Sequence, residues 1–190
     1  SYADQFIAAG ANIMGGCCGT TPDHIGALAS KSKGKKTDLS FRKGISAVSS
    51  ARKTAFMGGG RPLSVVGERI NPTGKKALQA ELREGKTGIV QEFALEQQIK
   101  GASILDVNMG LSGIDEKEMM LKSVKLLSKM SDLPLCIDST NPEVVEAALR
   151  IYPGRALVNS ISAEKERIER TLPIAAKYGA MFILLPLNDA

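Results

Sequence analysis

The chain has 190 residues, 43% hydrophobic and 24% charged, a balance that fits a soluble globular protein and excludes disorder throughout. Much of its net charge of +5 lies between Lys31 and Lys53, interspersed with Ser, Gly and Thr, and with five Phe, three Tyr and no Trp it has few rings on which to stack bases, so no nucleic-acid partner is expected. No apolar run approaches the roughly 20 residues of a membrane span, and three cysteines, two of them adjacent, make no disulfide framework; together these point to a reducing cytoplasm.

In chain order, residues 4–9 read as the end of a helix, and Asn12-Ile13-Met14-Gly15-Gly16 as a short strand entering a glycine loop. Thr21 and Pro22 then open a second helix as N-cap and first helical residue, and it fades by Ser30. Residues 31–62 lack sustained periodicity, are rich in Lys, Ser and Gly, and close on Gly58-Gly59-Gly60-Arg61-Pro62, which reads as a basic flexible linker. Beyond it, short apolar runs at 64–67, 103–107, 135–137, 156–158 and 181–185 alternate with helical periodicity at about 75–100, 115–130, 142–150 and 164–178. Strands alternating with helices predict parallel pairing and an α/β domain.

Polar residues follow each apolar run: Glu68 and Asn71, then Asp106 and Asn108, then Asp138, Ser139 and Asn141, then Asn159 and Ser160, and finally Asn188 and Asp189. A barrel with its site at the C-terminal strand ends distributes polar residues in this way, whereas an open doubly wound sheet gathers them at one switch point. The prediction is a partial TIM-type (β/α)8 barrel, cut after four strand-helix units and a fifth strand. For Asp106 and Asn108 the structural reading, that they satisfy loop backbone groups, stays open, and Glu68 and Arg69 can equally form an ion pair at the barrel mouth.

The stretch Met14-Gly15-Gly16-Cys17-Cys18-Gly19-Thr20-Thr21-Pro22 is the most distinctive. Neighbouring cysteines cannot join without strain, but two thiolates on a glycine-freed loop can reach one metal ion. His24 reads as a helix-surface residue and Cys136 as core, so neither joins the site. Residues 11–25 resemble the last strand-loop-helix of the homocysteine S-methyltransferase barrel, whose three cysteines hold zinc. The resemblance implies that Cys17 and Cys18 are two of those ligands and that the third lies on a strand absent here.

A second resemblance covers residues 63–190. Val66-Gly67-Glu68-Arg69-Ile70-Asn71-Pro72, Leu105-Asp106-Val107-Asn108, Cys136-Ile137-Asp138-Ser139-Thr140-Asn141 and Val158-Asn159-Ser160 resemble the successive strand-end motifs of the pterin-binding barrel. Methionine synthases, corrinoid protein methyltransferases and dihydropteroate synthases share that barrel. The resemblance implies that Glu68, Asn71, Asp106, Asn108, Asp138, Ser139, Asn159 and Ser160 surround the pterin. Within that set Asp138 would hydrogen-bond the ring, and Asn159 would sit near the methyl-bearing N5; these two are the residues expected to serve catalysis.

A cysteine-pair end (1–30), a linker (31–62) and the start of a pterin barrel (63–190) together resemble the cobalamin-dependent methionine synthase family. The expected activity is methyl transfer from 5-methyltetrahydrofolate through cobalamin to homocysteine, with zinc and a cobalamin-binding domain as further parts. A corrinoid protein methyltransferase, a dihydropteroate synthase-like enzyme and an inactive folate-binding fragment are the alternatives.

Overall fold

The computed structural model describes residues 2–35 and 46–187, and the chain divides into two compact units, Ser1–Lys43 and Gly44–Ala190. Asn188 and Asp189, and residues 36–45 of the expected linker, lie outside the described residues.

The first unit contains two helices, α1 (Tyr2–Ala8) and α2 (Pro22–Ser32). α2 begins as the sequence predicts, with Pro22 at its first position, and His24 Nδ1 accepts the Thr21 backbone N–H at 3.1 Å, which satisfies an otherwise orphaned donor. The strand expected at 12–16 is not formed. A strand needs a neighbour for its backbone groups, and among the described residues this unit offers only helices.

The second unit begins with an antiparallel hairpin, β1 (Ser46–Ser49) and β2 (Thr54–Met57). Five parallel strands follow in chain order across one sheet: β3 (Val66–Ile70), β4 (Ile104–Asn108), β5 (Leu135–Asp138), β6 (Leu157–Ser162) and β7 (Met181–Leu185). Between them run α3 (Lys76–Arg83), α4 (Gly88–Ile99), α5 (Glu116–Met130), α6 (Pro142–Ile151) and α7 (Lys165–Tyr178). The predicted 75–100 segment is two helices, because the chain turns at Gly85, whose φ of 69° suits glycine. Asp115 and Asn141 cap α5 and α6 through backbone N–H bonds of 2.9 and 3.0 Å.

Side-chain alternation divides the sheet into two faces. Leu105, Val107, Leu135, Ile137 and Val158 pack with Val124 and Leu127 of α5 and Val144, Val145 and Ala148 of α6 in the main core. Ile104, Cys136 and Leu157 face the other way and pack with Val48 and Ala55 of the hairpin. Helices on one face and a plugged, polar-rimmed face on the other make this the leading arc of a (β/α)8 barrel.

The hairpin corrects the reading of 31–62 as one linker. Tyr152 Oη donates to Ser49 O and accepts from Leu135 N, both at 3.0 Å. Arg52 pairs with Asp132 and donates to Ser131 O at 2.7 Å and Ser128 O at 3.2 Å, carbonyls at the end of α5. Each strand has four residues and one buried side chain, too short a pattern to stand out from a Lys- and Ser-rich background.

Candidate functional site

The inner face becomes polar toward the C-terminal ends of the strands. Asp106 stands opposite Cys136, and Cys136 opposite Leu157; one step higher, Asn108, Asp138 and Asn159 are aligned across β4, β5 and β6. Asn108 Nδ2 donates to Asp138 Oδ2 at 2.8 Å, while Asn108 Oδ1 accepts Gly110 N at 2.8 Å, which fixes the amide. Asn159 Nδ2 donates to Asp106 Oδ1 at 3.2 Å. That bond passes over β5, so the face is concave and alternate strands meet on it, as in a barrel interior.

Two ladders are irregular at the rim: the β3–β4 register shifts between Gly67 and Ile70, and the β6–β7 register between Val158 and Ile161. Such bulges re-aim side chains, and here they contain Glu68 and Arg69, and Asn159 and Ser160. Glu68 accepts Asn71 Nδ2 at 2.6 Å, and Asn71 Oδ1 accepts Thr73 N at 2.9 Å. The alternative Glu68–Arg69 ion pair is not formed: Arg69 lies 3.7 Å from Glu96 and stacks over Phe93 at 4.8 Å. Ser139 is buried and tied to Glu116 at 2.5 Å and to Asn141 N at 3.1 Å, so its hydroxyl is engaged in the loop rather than at the rim. Arg167 donates to the carbonyls of Thr140 and Ser160 and so clasps the loop after β5 to the bulged part of β6.

The rim is acidic without a matching cation. None of Glu68, Asp106 and Asp138 has a Lys or Arg ion-pair partner among the described residues, and Lys75 reaches only the Asn71 carbonyl, at 3.1 Å. Asp106 is 1% exposed and its Oδ2 has no hydrogen-bond partner. Burial, reinforced by the negative charges of Asp138 and Glu68 and opposed by contacts with Cys136 and Asn159, pushes Asp106 up to about 6. Asp138 is also raised, first by burial and then by Glu68, with the Asn108 hydrogen bond opposing. Burial holds the Cys136 thiol far above its ordinary range, so it stays S–H. The arrangement can accept hydrogen bonds from a donor-rich ring edge, and it contains an acid that exchanges its proton close to neutrality.

A cavity of about 580 Å³ lies beside the rim between the loops before α6 and α7, lined by Thr140, Arg167 and Arg170 among others. None of the three carboxylates lines it. Its charges are largely spent on each other, Arg170 with Glu166 at 3.3 Å and Lys165 with Glu169 at 3.8 Å. The carboxylate rim is therefore the stronger candidate.

In the first unit Cys17 and Cys18 are exposed, with their sulfurs 3.8 Å apart. The Cys18 backbone N–H, and after it the Cys18 thiol, lower the Cys17 pKa. Two thiols are a partial zinc set, and no group of three or more His, Cys, Asp or Glu able to hold a metal occurs among the described residues. No helix among them is long and apolar enough to cross a membrane.

Sequence reasoning left two supporting residues out of the site. Cys136, assigned to the core, is buried there but stands beside Asp106 on the neighbouring strand. Gln97 on α4 accepts Arg69 N at 2.8 Å and occupies the space left by Gly67, where a Cβ would come within 2.5 Å of its Oε1. Only the buried position of a polar residue could have flagged Gln97, and burial is not written in a local pattern.

Residues 67–189 match the sequence family described as Pterin binding enzyme, and residues 1–32 match Homocysteine S-methyltransferase. Among solved structures, dihydropteroate synthase from Thermus thermophilus is 23% identical, with a TM-score of 0.47 over 71% of this chain and 46% of that one. The Xanthomonas albilineans enzyme with 4-aminobenzoic acid gives 22%, 0.49, 71% and 49%, and the Vibrio fischeri enzyme 18%, 0.48, 73% and 48%. The chain thus spans about half the length of these structures.

Proposed function

Starting from the premise that the chain belongs to the pterin binding enzymes, we propose that its polar rim holds the pterin head of a reduced folate. We propose further that it is part of a methyltransferase of the cobalamin-dependent methionine synthase kind, moving a methyl group from 5-methyltetrahydrofolate to homocysteine. The observation that carries the folate reading is the buried Asp106, joined over β5 to Asn159, with Asp138 on the strand between. The homocysteine S-methyltransferase match preceding the pterin match favours methyl transfer over a dihydropteroate synthase-like reaction.

In this reading Asp138 accepts hydrogen bonds from the amino edge of the pterin, while Glu68, Asn71 and Asn108 complete the wall, and Ser139 in its loop and Ser160 in the β6 bulge support it. A methyl group leaves N5 more readily when that nitrogen is protonated or hydrogen-bonded. Asn159 is the residue to supply that contact, backed by Asp106, which keeps its proton up to about pH 6. Cobalamin, bound by a domain outside this chain, would supply the nucleophile that takes the methyl group. Cys17 and Cys18 would give zinc two thiolates and leave at least one ligand to come from elsewhere; the chemistry such an ion would supply is to keep a substrate thiol ionised at neutral pH.

Isothermal titration with 5-methyltetrahydrofolate tests the assignment. Asp138→Ala and Asn159→Ala should each weaken binding by about 10- to 100-fold, the size of one or two lost hydrogen bonds to a charged or buried group. Unchanged affinity in both variants would remove the assignment.

A further inference from the structure

Below the rim lies a group that the proposed chemistry does not use. Cys136 is fully buried, stands in register with Asp106, and belongs to the apolar layer formed with Ile104, Leu157 and Val48 of the hairpin. Asp106 is therefore flanked by an apolar layer in which the Cys136 sulfur is the one heteroatom. One of its oxygens takes the Asn159 amide and the other has no partner in hydrogen-bonding geometry. We propose that Cys136 is a positioning residue whose S–H, reaching across from the neighbouring strand at the same level, orients the Asp106 carboxyl toward Asn159 and the ligand.

The groups facing Asp106 explain why a thiol suits this place. Asp138 and Cys136 come from β5, Glu68 from β3 and the neutral Asn159 from β6, and no cation among the described residues pairs with the carboxyl. Burial and two like charges favour the protonated acid, while the thiol and the amide favour the ionised one. Because its own pKa is driven far up, the thiol remains a donor across the working pH range. It is a weak donor, so it opposes protonation only in part, and Asp106 titrates close to neutrality instead of in the ordinary carboxylate range. An apolar side chain here would leave the acid protonated to higher pH, and a hydroxyl, a stronger donor, would ionise it earlier.

The role of Cys136 in binding rests on the folate reading, whereas its contact with Asp106 does not, so two measurements keep them apart. With Cys17→Ser and Cys18→Ser removing the exposed thiols, the infrared S–H stretch reports Cys136 alone. It should move to lower frequency as Asp106 ionises, with a midpoint near the Asp106 titration, and lose that dependence in Asp106→Asn. The pH profile of 5-methyltetrahydrofolate affinity forms the second arm. Cys136→Ala should shift its midpoint upward by about half to one pH unit, the effect of one weak hydrogen bond on a carboxyl, and Cys136→Ser should return it to or below the wild-type value. An S–H band indifferent to both pH and Asp106→Asn overturns the proposal, as does a midpoint left in place by both substitutions. Absence of ligand binding in the wild type would count against the folate reading, and the S–H band would then decide the contact by itself. That band also decides if Cys136→Ala does not fold.

Discussion

Asp106 combines near-complete burial with a carboxyl that faces two other acids, and the cost of that placement is measurable. Its folded-state pKa, about 6, lies above the value of about 3.9 expected in an unfolded chain. The contribution of Asp106 to stability is therefore fully present below about pH 4 and is lost as pH rises through about 6. Asp106→Asn should then gain on the wild type across that window, by on the order of 2–3 kcal/mol at pH 7, while losing ligand affinity. Denaturant melts at pH 4 and pH 7 check it, and a stability difference equal at both pH values would contradict it. Gln97 makes the opposite case. Gln97→Ala strips the Arg69 N–H of its acceptor and should lower stability by about 1–3 kcal/mol, read from the same melts.

At the scale of elements, the hairpin β1–β2 behaves as part of the barrel. It supplies Val48 to the inner core and is fastened by Tyr152, Arg52 and Arg155, the last donating to Ala47 O at 3.1 Å. Gly154 lies so close to Ser49 that a Cβ there would meet its carbonyl oxygen at 2.1 Å. Gly154→Ala should consequently lift the hairpin, and Tyr152→Phe should weaken its attachment by about 1 kcal/mol or somewhat more. Hydrogen exchange of the β1 and β2 amides reads both, and unchanged protection in Gly154→Ala would show that the hairpin is not held there. Strand and helix identities in this unit were legible because period-2 and period-3.6 patterns are local. The hairpin was not, since what selects it is the floor of a sheet assembled from residues 50 to 110 positions later in the chain.

For the second unit as a whole, among the described residues the sheet has two open edges, β3 and β7, each bonded to a single neighbour. β7 exposes Phe182, Ile183, Leu184 and Leu185, with Leu184 63% exposed, and Val66 of β3 is 39% exposed. Unpaired apolar edge strands template association. The 190-residue chain in isolation should therefore self-associate in sedimentation experiments, with Leu184→Lys shifting it toward monomer, and it should not transfer methyl groups from 5-methyltetrahydrofolate. A monodisperse monomer with wild-type sequence would refute the first expectation, and measurable transfer the second.

The sequence alone determined the order of the five parallel strands, the cap at Thr21, the parallel α/β class and the placing of acids and amides at strand ends, because periodicity, capping and turn chemistry act over a few residues. Which of those polar groups meet was decided only by the three-dimensional fold. Curvature joins Asp106 to Asn159 across β5, the bulge in β3 accompanies the turn of Arg69 to Glu96 instead of Glu68, loop contacts hold Ser139 away from the rim, and register sets Cys136 beside the buried acid. Those pairings depend on strand register, bulges and the hairpin floor, all products of contacts between distant parts of the chain, and no local pattern encodes them.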